Sequence, residues 1–399
     1  MDNCVNSFED QKDDLVHKKK SQNFGYVCGS INLGTNVIAQ SPTKPLNFFH
    51  SSRWSPDGST ILSLTEDQCL NCWNVPFSDL SKKADGPLNF SKHLSYKYQS
   101  PETVYSYSWY SRMKLDDPSS NLFAVSSRDQ PIKLINFTTG KNKASYHMID
   151  HQERYQGSHC LQFTNDGEYL IAGDKNCLHH FNIRTGCKEP VMTTVTHGYK
   201  VPLWEFSLKG IQSCFSLNPM DSKTLAVGTY SNRVGIYNDC GRRPCQLEFS
   251  IERGNGVTHL QWCEDGEKLY VGSRCSDKIE VWDIRYVRDM VYALEGHRGD
   301  TNQRILFDTD KKDEILAGGT DGSIRRWRNK DLVEETHVTG NYDLTVNTVQ
   351  ANPINMQIKC VCYGNRIYKY EKDESEEEDE SKEKDLWTGT VSALQVWMD

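Results

Sequence analysis

A unit that recurs seven times constrains the fold of this 399-residue chain more than any other feature. In each unit an apolar residue ends a first strand-like run, and an aromatic residue closes a third such run. The first-strand anchors are Trp54, Trp109, Phe163, Phe215, Trp262, Phe307 and Val349, at spacings of 55, 54, 52, 47, 45 and 42 residues. The third-strand aromatics are Trp73, Phe137, Phe181, Tyr237, Trp282, Trp327 and Tyr370. A single unit of this length cannot bury both of its faces, so the units must stack on one another.

The length of the repeat and the residues in its turns together indicate how the units stack. Periods of about 40–45 residues that close on Trp-Asp are typical of WD repeats, in which each repeat supplies one four-stranded blade of a propeller. Trp282-Asp283 is the literal Trp-Asp of the set. Asp57-Gly58 follows a first strand, where a tight turn needs a positive φ. We therefore predict an all-β chain that forms a seven-bladed WD-repeat β-propeller.

The propeller is predicted to span 46–399 as one domain, after a polar and mostly disordered tail over 1–45. Residues 371–385 hold ten acidic side chains and three lysines, a local balance of −7 within the formal net charge of −8. Because like charges repel and stay solvated, we expect this block to be a disordered insertion. Two candidates for the outer strand that closes the ring remain open, 394–398 and the N-terminal stretch 26–38.

Motifs of catalysis and metal binding are missing from the sequence. It contains no P-loop, Gly-x-Ser-x-Gly elbow, His-Glu-x-x-His or kinase loop. Cys69 and Cys72 form a CxxC without a second pair, and adjacent residues such as His179 and His180 point to opposite faces of a strand. No apolar run approaches the roughly 18 residues that a membrane helix needs. We expect no enzyme activity, cofactor, metal, small-molecule substrate or membrane contact.

One rim of the predicted propeller carries cations beside aromatic rings. Turns between second and third strands lie on that rim, as do the loops that lead into each blade. Single-stranded RNA needs this combination, because phosphates attract cations and unstacked bases stack on π faces. Ordinary solvated turns are the alternative reading. The candidate RNA-binding residues are Arg128, Lys175, Tyr199, Lys200, Tyr230, Arg233, Arg274 and Arg304.

Several segments outside the generic repeat resemble one family. They are Thr301-Asn302-Gln303-Arg304-Ile305 followed by Phe307-Asp308, Tyr105-x-Tyr107-x-Trp109-Tyr110-Ser111, Gly256-Val257-Thr258-His259-Leu260 and Trp282-Asp283-Ile284-Arg285. With them the chain resembles the telomerase Cajal body protein family and its fungal splicing-associated relatives. The resemblance implies a non-enzymatic scaffold that recognises small nuclear or Cajal-body-type RNAs, including telomerase RNA, and supports their localisation, assembly into ribonucleoproteins, or splicing.

The same resemblance implies partners and a location. The partners are the RNA and the proteins of its particle, with a telomerase or a spliceosomal small nuclear ribonucleoprotein as options. The location is nuclear, with a cytoplasmic pool as a further option. Trp282, Asp283 and Arg285 also fit a short pattern by which some propellers dock onto a cullin-RING ubiquitin ligase as substrate receptors. A scaffold that binds proteins alone is the third hypothesis.

Overall fold

The computed structural model describes residues 26–32, 47–80, 88–89, 91–202, 204–309, 314–338, 344–365 and 392–398. These residues form strands almost throughout, beside a four-residue helix α1 (Phe77–Leu80) and two short 3₁₀ turns at Ser91–His93 and Asp239–Gly241. None of the described helices is long and apolar enough to cross a membrane. In chain order the strands are β1 (Tyr26–Asn32), β2 (Phe49–Trp54), β3 (Thr60–Thr65), β4 (Cys69–Asn74), β5 (Leu88–Asn89), β6 (Leu94–Gln99), β7 (Val104–Trp109), β8 (Leu122–Ser127), β9 (Ile132–Asn136), β10 (Lys141–Tyr146), β11 (Cys160–Phe163), β12 (Tyr169–Asp174), β13 (Cys177–Asn182), β14 (Met192–Val195), β15 (Gln212–Leu217), β16 (Leu225–Thr229), β17 (Arg233–Tyr237), β18 (Cys245–Ser250), β19 (Val257–Trp262), β20 (Lys268–Ser273), β21 (Ser276–Asp283), β22 (Tyr292–Gly299), β23 (Asp308–Thr309), β24 (Glu314–Gly318), β25 (Ser323–Arg328), β26 (Asp331–His337), β27 (Val346–Ala351), β28 (Ile358–Gly364) and β29 (Ser392–Met398).

The strands form seven sheets, which are the blades of a β-propeller, as predicted. Blades one to six are antiparallel four-stranded sheets built from β2-β3-β4-β6, β7-β8-β9-β10, β11-β12-β13-β14, β15-β16-β17-β18, β19-β20-β21-β22 and β23-β24-β25-β26. Blade seven has five strands in the order β27-β28-β29-β1-β5. First strands of neighbouring blades pack on one another around the centre, as β15 does on β19 and β2 on β27. The loops that follow second and fourth strands therefore surround one end of the central channel.

The two ends of the chain close the ring together. Strand β1 runs antiparallel to β29 and pairs Tyr26 with Met398 and Asn32 with Ala393. Both candidates for the closing strand thus contribute: β29 is the third strand of blade seven, and β1 is the fourth. Within 1–45, for which the sequence predicts a mostly disordered tail, residues 26–32 form a strand of blade seven. These residues pair along the edge of β29, with one register shift between Val27 and Gly29.

Blade seven also differs from the sequence prediction at its third strand. The aromatic residue on that strand is Trp397, on β29. Tyr370, which the repeat spacing assigns to this position, lies outside the described residues, as does the acidic block 371–385. The remainder of the predicted tail, 1–25 and 33–45, also lies outside them.

Tryptophans at the blade interfaces explain why the repeat keeps a large aromatic residue there. Trp54, Trp109, Trp262, Trp282 and Trp327 are all buried, as expected. The indole N–H of Trp109 donates to the Arg53 carbonyl oxygen at 3.1 Å, and that of Trp262 donates to the Ser216 carbonyl oxygen at 3.0 Å. In both cases the acceptor belongs to the preceding blade. Each ring therefore fills the space between two blades while its polar edge keeps a partner.

The Asp-Gly turns adopt the backbone that the sequence predicts. Gly58 has a φ of 67°, and Gly266 of the Asp265-Gly266 turn, which follows the first strand of blade five in the same way, has a φ of 70°. A side chain at Gly58 would also place its Cβ 2.4 Å from the amide oxygen of Asn352, whose amide group donates to the Gly58 carbonyl at 2.8 Å. This contact joins blade one to blade seven. Glycine is thus required there for backbone conformation and for close approach between blades.

Candidate functional site

A cavity of about 1060 Å³ opens at the end of the channel where the loops after second and fourth strands meet. This volume is at the upper end of what small-ligand sites use, so the cavity can admit a group of nucleotide size. Its described walls include three arginines, Arg53, Arg274 and Arg304, and one acidic residue, Asp300, which is exposed. Positive charge therefore exceeds negative charge along the lining.

A chain of rings and guanidinium groups runs beside the cavity from blade two to blade five. We call this chain the arginine–aromatic network. The Arg128 Nε donates to the Tyr105 hydroxyl at 3.2 Å, and the Tyr105 ring stacks on His159 with centroids 4.3 Å apart. His159 meets the edge of Tyr230 at 5.9 Å, and the Arg274 guanidinium lies 4.3 Å above the Tyr230 ring. Five side chains from consecutive blades thus form one connected surface.

Arg304 extends the arginine–aromatic network to the loop that leads into blade six, and we include it in the network. One guanidinium nitrogen of Arg304 donates to the Tyr230 hydroxyl and to the His159 backbone carbonyl, the latter at 3.3 Å. Asp308, four residues further along the chain, is one carboxylate that the sequence offers as a partner for Arg304. The Asp308 carboxylate accepts a bond from the Ala351 amide at 3.1 Å, and Arg304 joins an aromatic ring and a carbonyl. Arg304 therefore holds the loop of blade six against blades three and four, and it also lines the cavity.

Arg53 lies deeper, on the inner strand β2, with its guanidinium 5.6 Å from the centroid of the Tyr107 ring. Burial lowers the pKa of Arg53, and the positive charge of Arg304 lowers it further. Burial and Arg304 likewise lower the pKa of His159 to about 4. Burial and Arg53 lower the pKa of His259 to about 3. Both histidines are consequently neutral at pH 7, and the arginines carry the positive charge of the cavity.

The structure brings together half of the predicted RNA-binding residues. Arg128, Tyr230, Arg274 and Arg304 all belong to the arginine–aromatic network.

The other four candidates lie apart from the network. Tyr199 is 95% exposed, with the Lys200 ammonium 5.9 Å from its ring centroid, on the loop between blades three and four. Lys175 is exposed on the turn between β12 and β13. The Arg233 guanidinium forms an ion pair with Glu248 of the neighbouring strand β18.

Three residues that help to build the cavity were not among the candidates, namely Tyr105, His159 and Arg53. Tyr105 opens the Tyr105-x-Tyr107-x-Trp109 motif, so its position in an unusual motif is a signal that could have found it. Arg53 precedes the anchor Trp54 directly, and alternation along a strand places it on the face opposite the anchor. His159 carries no comparable signal in the sequence.

The cysteine and histidine pairs singled out in the sequence lie on strands of the propeller, β4 and β13. Cys69 and Cys72 are buried thiols, and burial raises the pKa of Cys69 to about 11. His179 contacts the Thr193 hydroxyl at 3.0 Å, whereas His180 contacts the Cys240 carbonyl at 2.9 Å. Within the described ranges, no group of three His, Cys, Asp or Glu side chains could hold a metal ion.

The Trp-Asp-x-Arg pattern lies on the opposite end of the propeller from the cavity. Trp282 is buried, and Arg285 donates two hydrogen bonds to the Asp283 carboxylate, at 2.7 and 3.0 Å. A third contact joins Arg285 to Glu267 at 2.8 Å. Two carboxylates of its own blade therefore surround this arginine.

No family model matches the chain, whereas individual curated proteins do. Telomerase Cajal body protein 1 from Bos taurus is 30% identical over 294 residues, which cover 71% of this chain and 51% of that protein. The Homo sapiens protein of the same name is 30% identical over 287 residues, covering 71% and 50%. The chain is similar to the telomerase Cajal body proteins over 71% of its length. This confirms the resemblance predicted from the blade-six and blade-two motifs.

A fungal relative has more distant similarity. Protein SWT21 from Vanderwaltozyma polyspora is 22% identical over 295 residues, covering 70% of this chain and 67% of that protein. The chain spans about half the length of the telomerase Cajal body proteins it matches.

Proposed function

We propose that this protein is a non-enzymatic, RNA-binding scaffold of ribonucleoprotein particles, and that the cavity with its arginine–aromatic network is the RNA-binding surface. One observation carries the proposal: five neighbouring blades contribute a cation or a ring to one connected surface beside a cavity of nucleotide size. Guanidinium groups attract phosphates, and flat rings or guanidinium planes accept unstacked bases.

The proposed RNA is small nuclear or Cajal-body-type RNA, with telomerase RNA as one member of that class. Its relatives carry telomerase and the Cajal body in their name, which supports this choice. The proposed role is to support localisation, particle assembly or splicing of such RNAs, in the nucleus. Proteins of the same particles are then the expected protein partners.

Tyr230 is the centre of the proposed surface because it joins two cations at once. The Arg274 guanidinium covers one face of the ring at 4.3 Å, and its hydroxyl accepts a bond from Arg304. A base that stacks on the outer plane of Arg274 would therefore rest on a layer that the Tyr230 ring already supports. Removal of Arg274 should weaken binding without removing a core side chain, since Arg274 lies on a turn.

Crosslinking of the tagged protein to RNA in cells, followed by sequencing, tests the proposal. The wild type should recover small nuclear RNAs, and Arg274→Ala should recover several-fold less of them. Arg184→Ala is the matched control. This exposed arginine pairs with Glu168 at 3.0 Å, on a turn at the opposite end of the propeller. Recovery of no small nuclear RNA by a folded wild type would contradict the proposal.

The same experiment separates the competing functions. A protein-only scaffold or a ligase substrate receptor would recover proteins without enriched RNA. For a ligase substrate receptor, Arg285→Ala would also change the recovered proteins. Under the proposed function, Arg285→Ala leaves RNA recovery unchanged.

A further inference from the structure

Two arginines of the cavity are close enough for the charge of one, Arg304, to lower the pKa of the other, Arg53. Arg53 projects from β2 of blade one, and Arg304 from the loop that leads into blade six, and both line the same space. Each side chain influences His259 and Cys214 electrostatically, which places both guanidinium groups around the same two neighbours. The two positive charges thus come from blades that are not adjacent and converge on one region.

Neither charge is chiefly balanced by a carboxylate. The strongest electrostatic influences on Arg53 come from Tyr107, Arg304 and Cys214, and those on Arg304 come from Tyr230, Cys214 and Cys160. These neighbours are phenols, thiols and another arginine. Burial raises the pKa of Cys214 to about 11, so this thiol carries no negative charge at pH 7. Two like charges therefore line the same cavity, and no carboxylate is among their strongest electrostatic neighbours.

The geometry points to a phosphate seat: we propose that Arg53 and Arg304 together bind one phosphate group inside the cavity. A guanidinium presents five N–H donors in a planar fork that matches phosphate oxygens. The hydrogen bonds that Arg304 donates to Tyr230 and His159 both come from one nitrogen of its fork. An anion between the two groups would replace their mutual repulsion by two attractions. The proposal deepens the proposed function, because it names the group that the deepest part of the RNA-binding surface holds.

The phosphate can come from an RNA strand or from a free phosphate ester or inorganic phosphate, since the chemistry of the seat is the same for each. The first arm of the test uses inorganic phosphate alone. Calorimetric titration and thermal melting are compared for wild type and Arg53→Gln, with chloride at equal ionic strength as the reference. Phosphate should raise the melting temperature of the wild type. Arg53→Gln should weaken phosphate binding about tenfold or more, as expected for the loss of one charge-assisted contact.

Competition between inorganic phosphate and a short single-stranded RNA forms the second arm. If phosphate displaces the RNA from the wild type but not from Arg53→Gln, the seat holds a phosphate of the RNA strand. If phosphate binds and the RNA is not displaced, the seat holds a free phosphate group. Both results support the seat and identify its source.

Controls keep the outcomes distinguishable. Arg53→Lys retains the charge and should retain part of the phosphate response, which covers the case in which Arg53→Gln fails to fold. Arg184→Gln, on the opposite end of the propeller, should respond to phosphate like the wild type. The phosphate site is refuted if phosphate changes neither the melting temperature nor the calorimetric titration of the wild type, even if RNA still binds. Phosphate binding without any RNA binding would instead count against the proposed function alone.

Discussion

Truncation of Trp262 should test how the blades are held together. This side chain is 2% exposed, lies between blades four and five, and donates its N–H to Ser216 at 3.0 Å. Trp262→Ala removes the ring and leaves a cavity, which costs about 3–5 kcal/mol of unfolding free energy. Trp262→Phe keeps most of the volume but leaves the Ser216 carbonyl without its partner, for about 1–3 kcal/mol.

The matched control is Trp204, whose side chain is 86% exposed on the loop between blades three and four. Trp204→Ala should change the unfolding free energy by less than about 0.5 kcal/mol. An unfolding entropy of about 2.1 cal/mol/K per residue predicts that a 4 kcal/mol loss lowers the melting temperature by about 5 °C for a chain of 399 residues. Circular dichroism measures the unfolding free energy of both variants in urea titrations and their melting temperatures in thermal scans. Equal effects of Trp262→Ala and Trp204→Ala would refute the assignment of Trp262 to a blade interface.

Three further predictions concern the cavity, the acidic block and pH. Arg304→Ala should lower both the melting temperature and RNA affinity, because Arg304 joins two other blades. An unchanged melting temperature for Arg304→Ala would contradict its structural role. Arg274→Ala should lower the RNA affinity without changing the melting temperature, and it should reduce the salt slope of binding by about one unit. Deletion of 373–384 should leave the RNA affinity equal or higher, since acidic residues repel phosphate. A filter-binding titration measures this affinity. Loss of RNA binding by the folded deletion variant would instead show that the acidic block contributes to RNA specificity. Because His159 and His259 have pKa values of about 4 and 3 when folded and about 6.5 when unfolded, stability should be full above pH 6.5 and fall by a few kcal/mol as the pH drops toward 4. Denaturant titrations at pH 7.5, 6 and 5 check this, and equal unfolding free energies at all three would disprove the burial of these rings.

Much of the fold was predictable, because strand alternation and turn chemistry act locally. The buried tryptophans and the positive φ at Gly58 and Gly266 follow from single repeats. Ring closure was not settled, because a fourth strand at the outer edge makes few core contacts and leaves only a weak pattern. The pairing of 26–32 with Ser392–Met398 joins the two ends of the chain, and nothing local to either segment specifies it.

The candidate RNA-binding site was predictable only in part, because contacts between blades also decide which side chains reach the cavity. Sequence position places a residue on the rim, but side-chain direction decides whether it reaches the cavity. Arg233 is the first residue of β17, and its side chain lies on the same face as position 235, whose partner across the ladder is Glu248. His159 reaches the cavity because the loop leading into blade three brings it against Tyr105. Such contacts between blades have no sequence signal within either blade.

Photochemical crosslinking of a bound small nuclear RNA to the purified protein, with the attachment sites mapped by mass spectrometry, tests the central claim most directly. If the cavity is the RNA-binding surface, attachment is expected at rings of its wall, Tyr230 or Tyr105, and is lost in Arg274→Ala. Attachment only at turns on the opposite end of the propeller, such as the one that carries Arg184, would show that the RNA binds elsewhere.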